Sequence, residues 1–297
     1  MQTPLRSPQA RSARTRAPSG LAFPGGASPT RPPVTARRFS LLPVVVLASA
    51  CASAPAVVPA RGVPGFDTRD YPGGAVMAAW LESSPYRWVG YYLHAPCYTG
   101  TSWTGRRREL EEMGWGVAVI FVGEQDWGEA RGEPALADSP GAAAPRCTTS
   151  NLTAERGTAD AAAAEGAAAG EGFPRGTAIF LDVERVDALS SELVAYVRSW
   201  AEGLLEGGRY LPGLYAHESN AEPLYAVVAG AFARAGRTNA PRLWVASGRG
   251  FDLRKAPVES GVPWASVWQG AFDVRESWGG VTLRIDANVA SSASPSR

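Results

Sequence analysis

Eight short apolar runs recur between residues 62 and 287, and stretches of helix-forming character fill the first five gaps between them. The runs are 62–67, 88–93, 116–122, 178–184, 211–217, 242–247, 265–269 and 283–287, with helices expected at 74–82, 104–113, 153–170, 190–206 and 221–235. Such alternation builds parallel sheet from strand–helix–strand units, and eight strands in about 230 residues fit an α/β fold closed as a (β/α)8 barrel of the TIM type. The last crossovers carry little helix signal, so the barrel is expected to be irregular there. A doubly wound sheet is the alternative, but no Gly-rich phosphate loop follows the first run.

The fourth run is the most telling. Ala178, Ile179, Phe180 and Leu181 lack polar alternation and read as a strand buried on both faces, yet Asp182 and Glu184 follow at once. Side chains two apart on a strand share a face, which sets these carboxylates roughly 6–7 Å apart along the backbone. Paired carboxylates do glycosidic chemistry on that scale. The plainer reading is a solvated pair at a strand exit.

Barrel enzymes draw their catalytic groups from the C-terminal ends of strands, and those ends are rich in polar and aromatic residues here. They include Asp67, Tyr91, Glu124, Gln125, Asp126, Tyr215, His217, Trp268, Gln269, Asp286 and Asn288. Aromatic faces cover pyranose rings while amides and carboxylates bond hydroxyls, so the collection suits a sugar. Each residue also has a structural reading: Asp67, Asp286 and Asn288 as turn residues, and Trp268 as rim packing. His94 and His217 are the only histidines. They would complete a metal-dependent deacetylase site with the carboxylates, but no tight ligand spacing supports one and no metal or cofactor is assigned.

The formal charge of +1 conceals an asymmetry. Residues 1–50 hold seven Arg and no acid or Lys, leaving 22 basic and 28 acidic side chains for the rest. A mildly acidic globular part argues against a nucleic-acid partner. Residues 1–36, rich in Pro, Ser, Ala and Arg, cannot bury enough surface to fold, or precede the true start, since no Met occurs between Met1 and Met77. Residues 37–52 carry twin Arg (Arg37, Arg38), an apolar run too short to span a bilayer, and small residues. This is the form of an export signal, and residues 53–60 then serve as a linker to a barrel at 61–291, with a tail at 292–297. Cys51 is a candidate for lipidation, which would attach the chain to a membrane; simple cleavage nearby is the alternative. Cys97 and Cys147 remain as an even pair in an oxidising compartment, so a disulfide is expected between them.

Six short tags stand in order along the chain: Gly65-Phe66-Asp67, Phe180-Leu181-Asp182-Val183-Glu184, Gly213-Leu214-Tyr215 with Asn220, Leu243-Trp244-Val245-Ala246, Trp268-Gln269 and Asp286-Ala287-Asn288. Together they resemble the family 25 lysozymes, and more closely a secreted actinobacterial glycoside-hydrolase-like domain related to them. The resemblance covers about residues 62–290 and implies a monomeric barrel cleaving the β-1,4 bond between N-acetylmuramic acid and N-acetylglucosamine in peptidoglycan. It implies Glu184 as general acid, Asp182 as the residue that orients the acetamido group or steadies developing charge, and Asp67 and Asp286 as electrostatic support. Asp182 is expected to supply the anion that raises the Glu184 pKa. Asp286, Tyr215, Trp268, Gln269, Tyr91, Asn288 and His217 are expected to line the sugar site. The second and third strands and the Cys97 and Cys147 loops depart from the lysozyme pattern, which leaves a non-catalytic glycan-binding module as a second reading.

Overall fold

Backbone pairing in the computed structural model, which describes residues 61–127, 147 and 149–297, closes all eight strands into one barrel. The order is β1 Val63–Asp67, α1 Gly74–Ser83, β2 Trp88–Tyr92, α2 Arg107–Met113, β3 Gly116–Val122, α3 Ala154–Gly170, β4 Ala178–Val183, α4 Ser191–Gly207, β5 Leu211–His217, α5 Glu218–Arg234, β6 Arg242–Ala246, β7 Val267–Trp278 and β8 Val281–Ala290. The (β/α)8 expectation holds, with its irregularity where the sequence loses helix signal. Only a 3-10 turn, Pro257–Ser260, lies between β6 and β7. β7 and β8 then form an antiparallel hairpin, and β8 closes antiparallel onto β1.

The last two strands are longer than their apolar runs. Beyond Gly270 the hairpin is partly exposed on both sides, so hydrophobic patterning ends there although pairing continues to Trp278 and Val281. Two register shifts fall between Gln269 and Val274, and Asp273 takes a φ of 55° within them. Short polar side chains tolerate that left-handed geometry. Its backbone N–H donates to Asp286 Oδ1 at 2.5 Å, so the bulge ties the hairpin to the barrel mouth.

The barrel interior is layered. Trp88, Phe180 and Trp244 fill the middle, with Trp244 edge-on to the other two at ring-centroid distances of 5.5 and 5.6 Å. Opposite Trp88 stands Gly65, where a Cβ would fall 2.0 Å from the indole, so the tryptophan fits only because that position has no side chain. One pleat further along each strand lie the groups of the mouth: Asp67 on β1 and Asp182 on β4. The aromatic layer is therefore the floor on which the polar residues stand.

Helices cover the outside. α4 is capped by Ser190, whose Oγ accepts the Leu193 N–H at 3.1 Å, and it buries Leu193, Tyr196, Val197, Trp200, Ala201 and Leu204 at helical spacing. α2 begins three residues later than expected. The preceding chain turns instead, which buries Trp103 and aims its Nε1–H at the Arg69 carbonyl at 3.0 Å.

Residues 292–297 are a plug and not a free tail. At the base of the barrel the Ala178 N–H donates to the Ser296 carbonyl at 2.7 Å and the Val119 N–H to Ser296 Oγ at 2.8 Å. Backbone donors on β3 and β4 are satisfied in this way, and Ser296 is buried in consequence.

The expected disulfide joins Cys97 to Cys147 across 50 residues of chain. Closing a loop of that length restricts the unfolded chain by about 4 kcal/mol on the chain-entropy model. The start at 1–36, the export segment at 37–52, Cys51 and the linker at 53–60 lie outside the described residues. Among those described, no helix is long and apolar enough to cross a membrane.

Candidate active site

β1 and β8 pair so that Asp67 and Asp286 stand directly opposite one another, while β4 delivers Asp182 and, one residue past its end, Glu184. These four carboxylates line a cavity of about 400 Å³ at the C-terminal mouth of the barrel. A pit of about 60 Å³ adjoins it, also lined by all four and by Tyr92, Tyr215, Trp244 and Gln269.

Asp67 is buried, and an unpaired carboxylate there would cost several kcal/mol. Three donors meet it instead: Tyr92 Oη–H at 2.8 Å, Gln269 Nε2–H at 3.1 Å and Asn288 Nδ2–H at 2.8 Å. Gln269 also donates to Asp286 Oδ2 at 3.1 Å and accepts the Tyr215 hydroxyl at 2.5 Å. Asn288 in turn accepts the Trp244 Nε1–H at 3.0 Å, so one hydrogen-bonded network ties β1, β2, β5, β6, β7 and β8 together. Burial nevertheless lifts the Asp67 pKa to about 7, with the Asp286 charge adding to it and the three donors opposing.

That shift has a consequence for stability. A carboxyl raised in the folded state binds its proton more tightly folded than unfolded, so stability falls as pH rises from its ordinary value near 3.8 to about 7. Melting temperature should decline over that window in the wild type, and Asp67→Asn should flatten the decline. A slope unchanged in the variant would show that Asp67 does not carry it.

The carboxylates on β4 have raised pKa values as well. For Asp182 the causes are burial, then Glu184, then Asp67 and Asp286, and its Oδ1 is buried without a hydrogen-bond partner among the described residues. Glu184 is exposed at the mouth, yet the wall behind it displaces water, and that partial burial followed by the Asp286 charge raises its pKa. Asp286 thus joins Asp182, the anion expected from the sequence, among the carboxylates around Glu184. Repulsion between Asp182 and Glu184 adds to burial in raising Asp182, the deeper of the two.

The structure brings Asp67, Asp182, Glu184, Asp286, Tyr215 and Gln269 together at the cavities and sends other expected residues elsewhere. Tyr91 points out of the barrel, packs its ring against Trp103 and Phe173, and donates to Glu171 Oε2 at 2.5 Å. Its neighbour Tyr92 faces the site. Trp268 is likewise outward, edge-on to Phe251 with Nε1–H donating to the Ser247 carbonyl at 2.6 Å; Trp244 is the inward indole. Tyr91 is a one-residue error of strand parity, and on β7 it is Gln269, next to Trp268, that faces the site. Asn288 is fully buried beneath the site and acts on Asp67 without lining the cavity. His217 caps α5, its Nδ1 accepting the Ser219 N–H at 3.2 Å, and lines neither cavity. Among the described residues the one grouping of three metal-ligand atoms is Cys97, Glu124 and Cys147, and its two sulfurs are bonded to each other.

A closed barrel whose C-terminal mouth gathers four acids, two amides and inward aromatic rings defines a glycoside-hydrolase-like domain. The chain belongs to the Rv2525c-like glycoside hydrolase-like domain family, whose model matches residues 78–290. β1 precedes that span, so the family match does not include Asp67, which β1 pairing with β8 brings to the site. Among solved structures, an uncharacterized B. stearothermophilus protein is 19% identical with a TM-score of 0.50, covering 77% of this chain and 96% of its own. The Tat-secreted protein Rv2525c of Mycobacterium tuberculosis, solved with L-tartrate, is 18% identical with a TM-score of 0.45, at 77% and 95% coverage. The spore cortex lytic enzyme SleM of Clostridium perfringens is 14% identical with a TM-score of 0.48, at 78% and 68% coverage. No curated protein matches the chain.

Proposed function

We propose that the protein is an exported glycosidase of the lysozyme type, acting on peptidoglycan or a related N-acetylated envelope glycan with Glu184 as the general acid. The observation that carries this reading is the set of four carboxylates shared by the cavity and its inner pit, with Glu184 at the open rim and its pKa raised by burial and by Asp286. A general acid needs a raised pKa and a path to the leaving oxygen; burial and Asp286 support the first and the place of Glu184 at the cavity rim supports the second. Asp182 lies one pleat deeper with Oδ1 unengaged, where it orients the acetamido group of the sugar. Asp67 and Asp286, held by Gln269 and Asn288, set carboxyl oxygens in the pit that favour the cationic character that develops at the anomeric carbon. Export rests on the twin-Arg segment and on the disulfide, which suits an oxidising compartment.

The test is a panel of purified peptidoglycan and chitin-type oligosaccharides, with products read by mass. Cleavage with a new reducing end on at least one N-acetylated glycan is the expected result. Saturable binding without turnover at any pH would replace the reading with that of a glycan-binding module on the same barrel.

A further inference from the structure

The ladder between β3 and β4 ends at the pair Val122 and Asp182, one residue before β4 itself ends and two before Glu184. Past that point β3 turns away, and the backbone of the residues that carry the site loses its neighbour on that side. The gap is filled by a side chain. Gln125 Nε2–H donates to the Asp182 carbonyl at 2.8 Å, and Gln125 Oε1 accepts the Glu184 N–H at 3.0 Å. A residue of a parallel neighbouring strand makes the same two bonds, to the carbonyl before and the N–H after its partner. The amide therefore stands in for a missing rung opposite Val183 and extends strand geometry up to Glu184.

Gln125 is buried, and its loop is anchored on both sides. Before it, the Glu124 N–H donates to Tyr196 Oη at 3.0 Å, and that hydroxyl donates to Asp160 Oδ2 at 2.7 Å. After it, the Asp126 carboxylate accepts Ser190 Oγ–H at 2.6 Å and Thr149 Oγ1–H at 2.9 Å. Tyr196 and Ser190 belong to α4 and its cap, the helix that follows β4. The loop is thus fixed to the same unit whose strand end it braces, while Gln125 itself lines neither cavity.

We infer that Gln125 is a positioning residue that holds the Asp182–Glu184 segment extended, so that both carboxyls face the cavity and Glu184 reaches the bond to be cleaved. The inference rests on the reading of Glu184 as the acid. It acts through Glu184 and touches no substrate.

Three measurements test it. Gln125→Leu keeps the volume and removes both bonds to the β4 segment, together with the Nε2–H bond to the Gly123 carbonyl at 3.1 Å within its own loop; kcat should fall roughly tenfold to a hundredfold while KM changes little, because the bound sugar is unchanged and the acid is misplaced. Gln125→Glu adds a signature that mere folding support would not give. A protonated carboxyl donates to the Asp182 carbonyl and accepts from the Glu184 N–H, whereas an ionised one has no donor and sets its charge against the Asp182 carbonyl oxygen, in a loop that already carries Glu124, paired with Arg156, and Asp126. Activity relative to wild type should therefore recover at acidic pH and decay as pH rises. A profile parallel to wild type, or an unchanged kcat in Gln125→Leu, overturns the inference. Hydrogen exchange at the Glu184 amide separates this result from failure of the functional reading, since it needs no turnover: Gln125→Leu should accelerate it at least tenfold. Unchanged protection overturns the bracing role even if the wild type cleaves glycan, and accelerated exchange sustains it even if no glycan is cleaved.

Discussion

Glu184→Gln is expected to lower release of reducing ends from purified cell wall by about a hundredfold to ten-thousandfold, the range over which a positioned general acid contributes. Glutamine keeps the length and shape of the side chain and cannot give a proton to the leaving oxygen. Folding should survive, because the exposed Glu184 side chain holds nothing in place; its bond to Gln125 runs through the backbone N–H. Surface changes of this kind shift stability by about half a kcal/mol or less. Melting temperature and glycan binding should thus match wild type while turnover collapses. Turnover equal to wild type would remove Glu184 from the mechanism.

Asp182→Asn should be the second most damaging change, lowering kcat by about a hundredfold or more if Asp182 engages the acetamido group as the reaction proceeds. Its pH profile is more informative than its rate. Asp286 is the charge that raises Glu184, so removing the Asp182 carboxyl should leave the alkaline limb of the kcat profile where it is. Asp286→Asn should move that limb to lower pH, since Glu184 without its anionic neighbour gives up its proton sooner. Limbs that move in the opposite assignment, with Asp182→Asn and not with Asp286→Asn, would restore the arrangement that spacing alone suggests. The two variants together decide which carboxylate tunes the acid.

Much of this was legible in the residues, and the misses have a common physical origin. Strand positions followed from apolar runs, and Asp182 and Glu184 from a buried run that ends abruptly in charge. Parity did not follow as easily. Tyr91 and Tyr92 are both aromatic, and a strand covered on both faces offers no polar alternation to say which one turns inward; the same holds separately for Trp244 on β6 and Trp268 on β7. The glycines held the missing signal. At Gly90 a Cβ would fall 2.5 Å from Asp67 Cβ, which marks that position as inward and makes Tyr92, two further on, the residue of the site. The long hairpin was hidden because its outer half buries little. Gln125 was visible only as one polar residue among several after β3, since a side chain that replaces a rung of sheet leaves no periodic trace.

The closure of β8 on β1 bears on when such a protein can act. Asp67 lies at the beginning of the folded part, and its partners Gln269, Asp286 and Asn288 are made more than two hundred residues later. A chain still being synthesised has Asp182, Glu184 and the Tyr92 donor to Asp67, but neither the closing strands nor Asp286 and the two amides that complete the site. The site is therefore complete only with the final strand, and a prematurely ended chain lacks Asp286 and Asn288 from it.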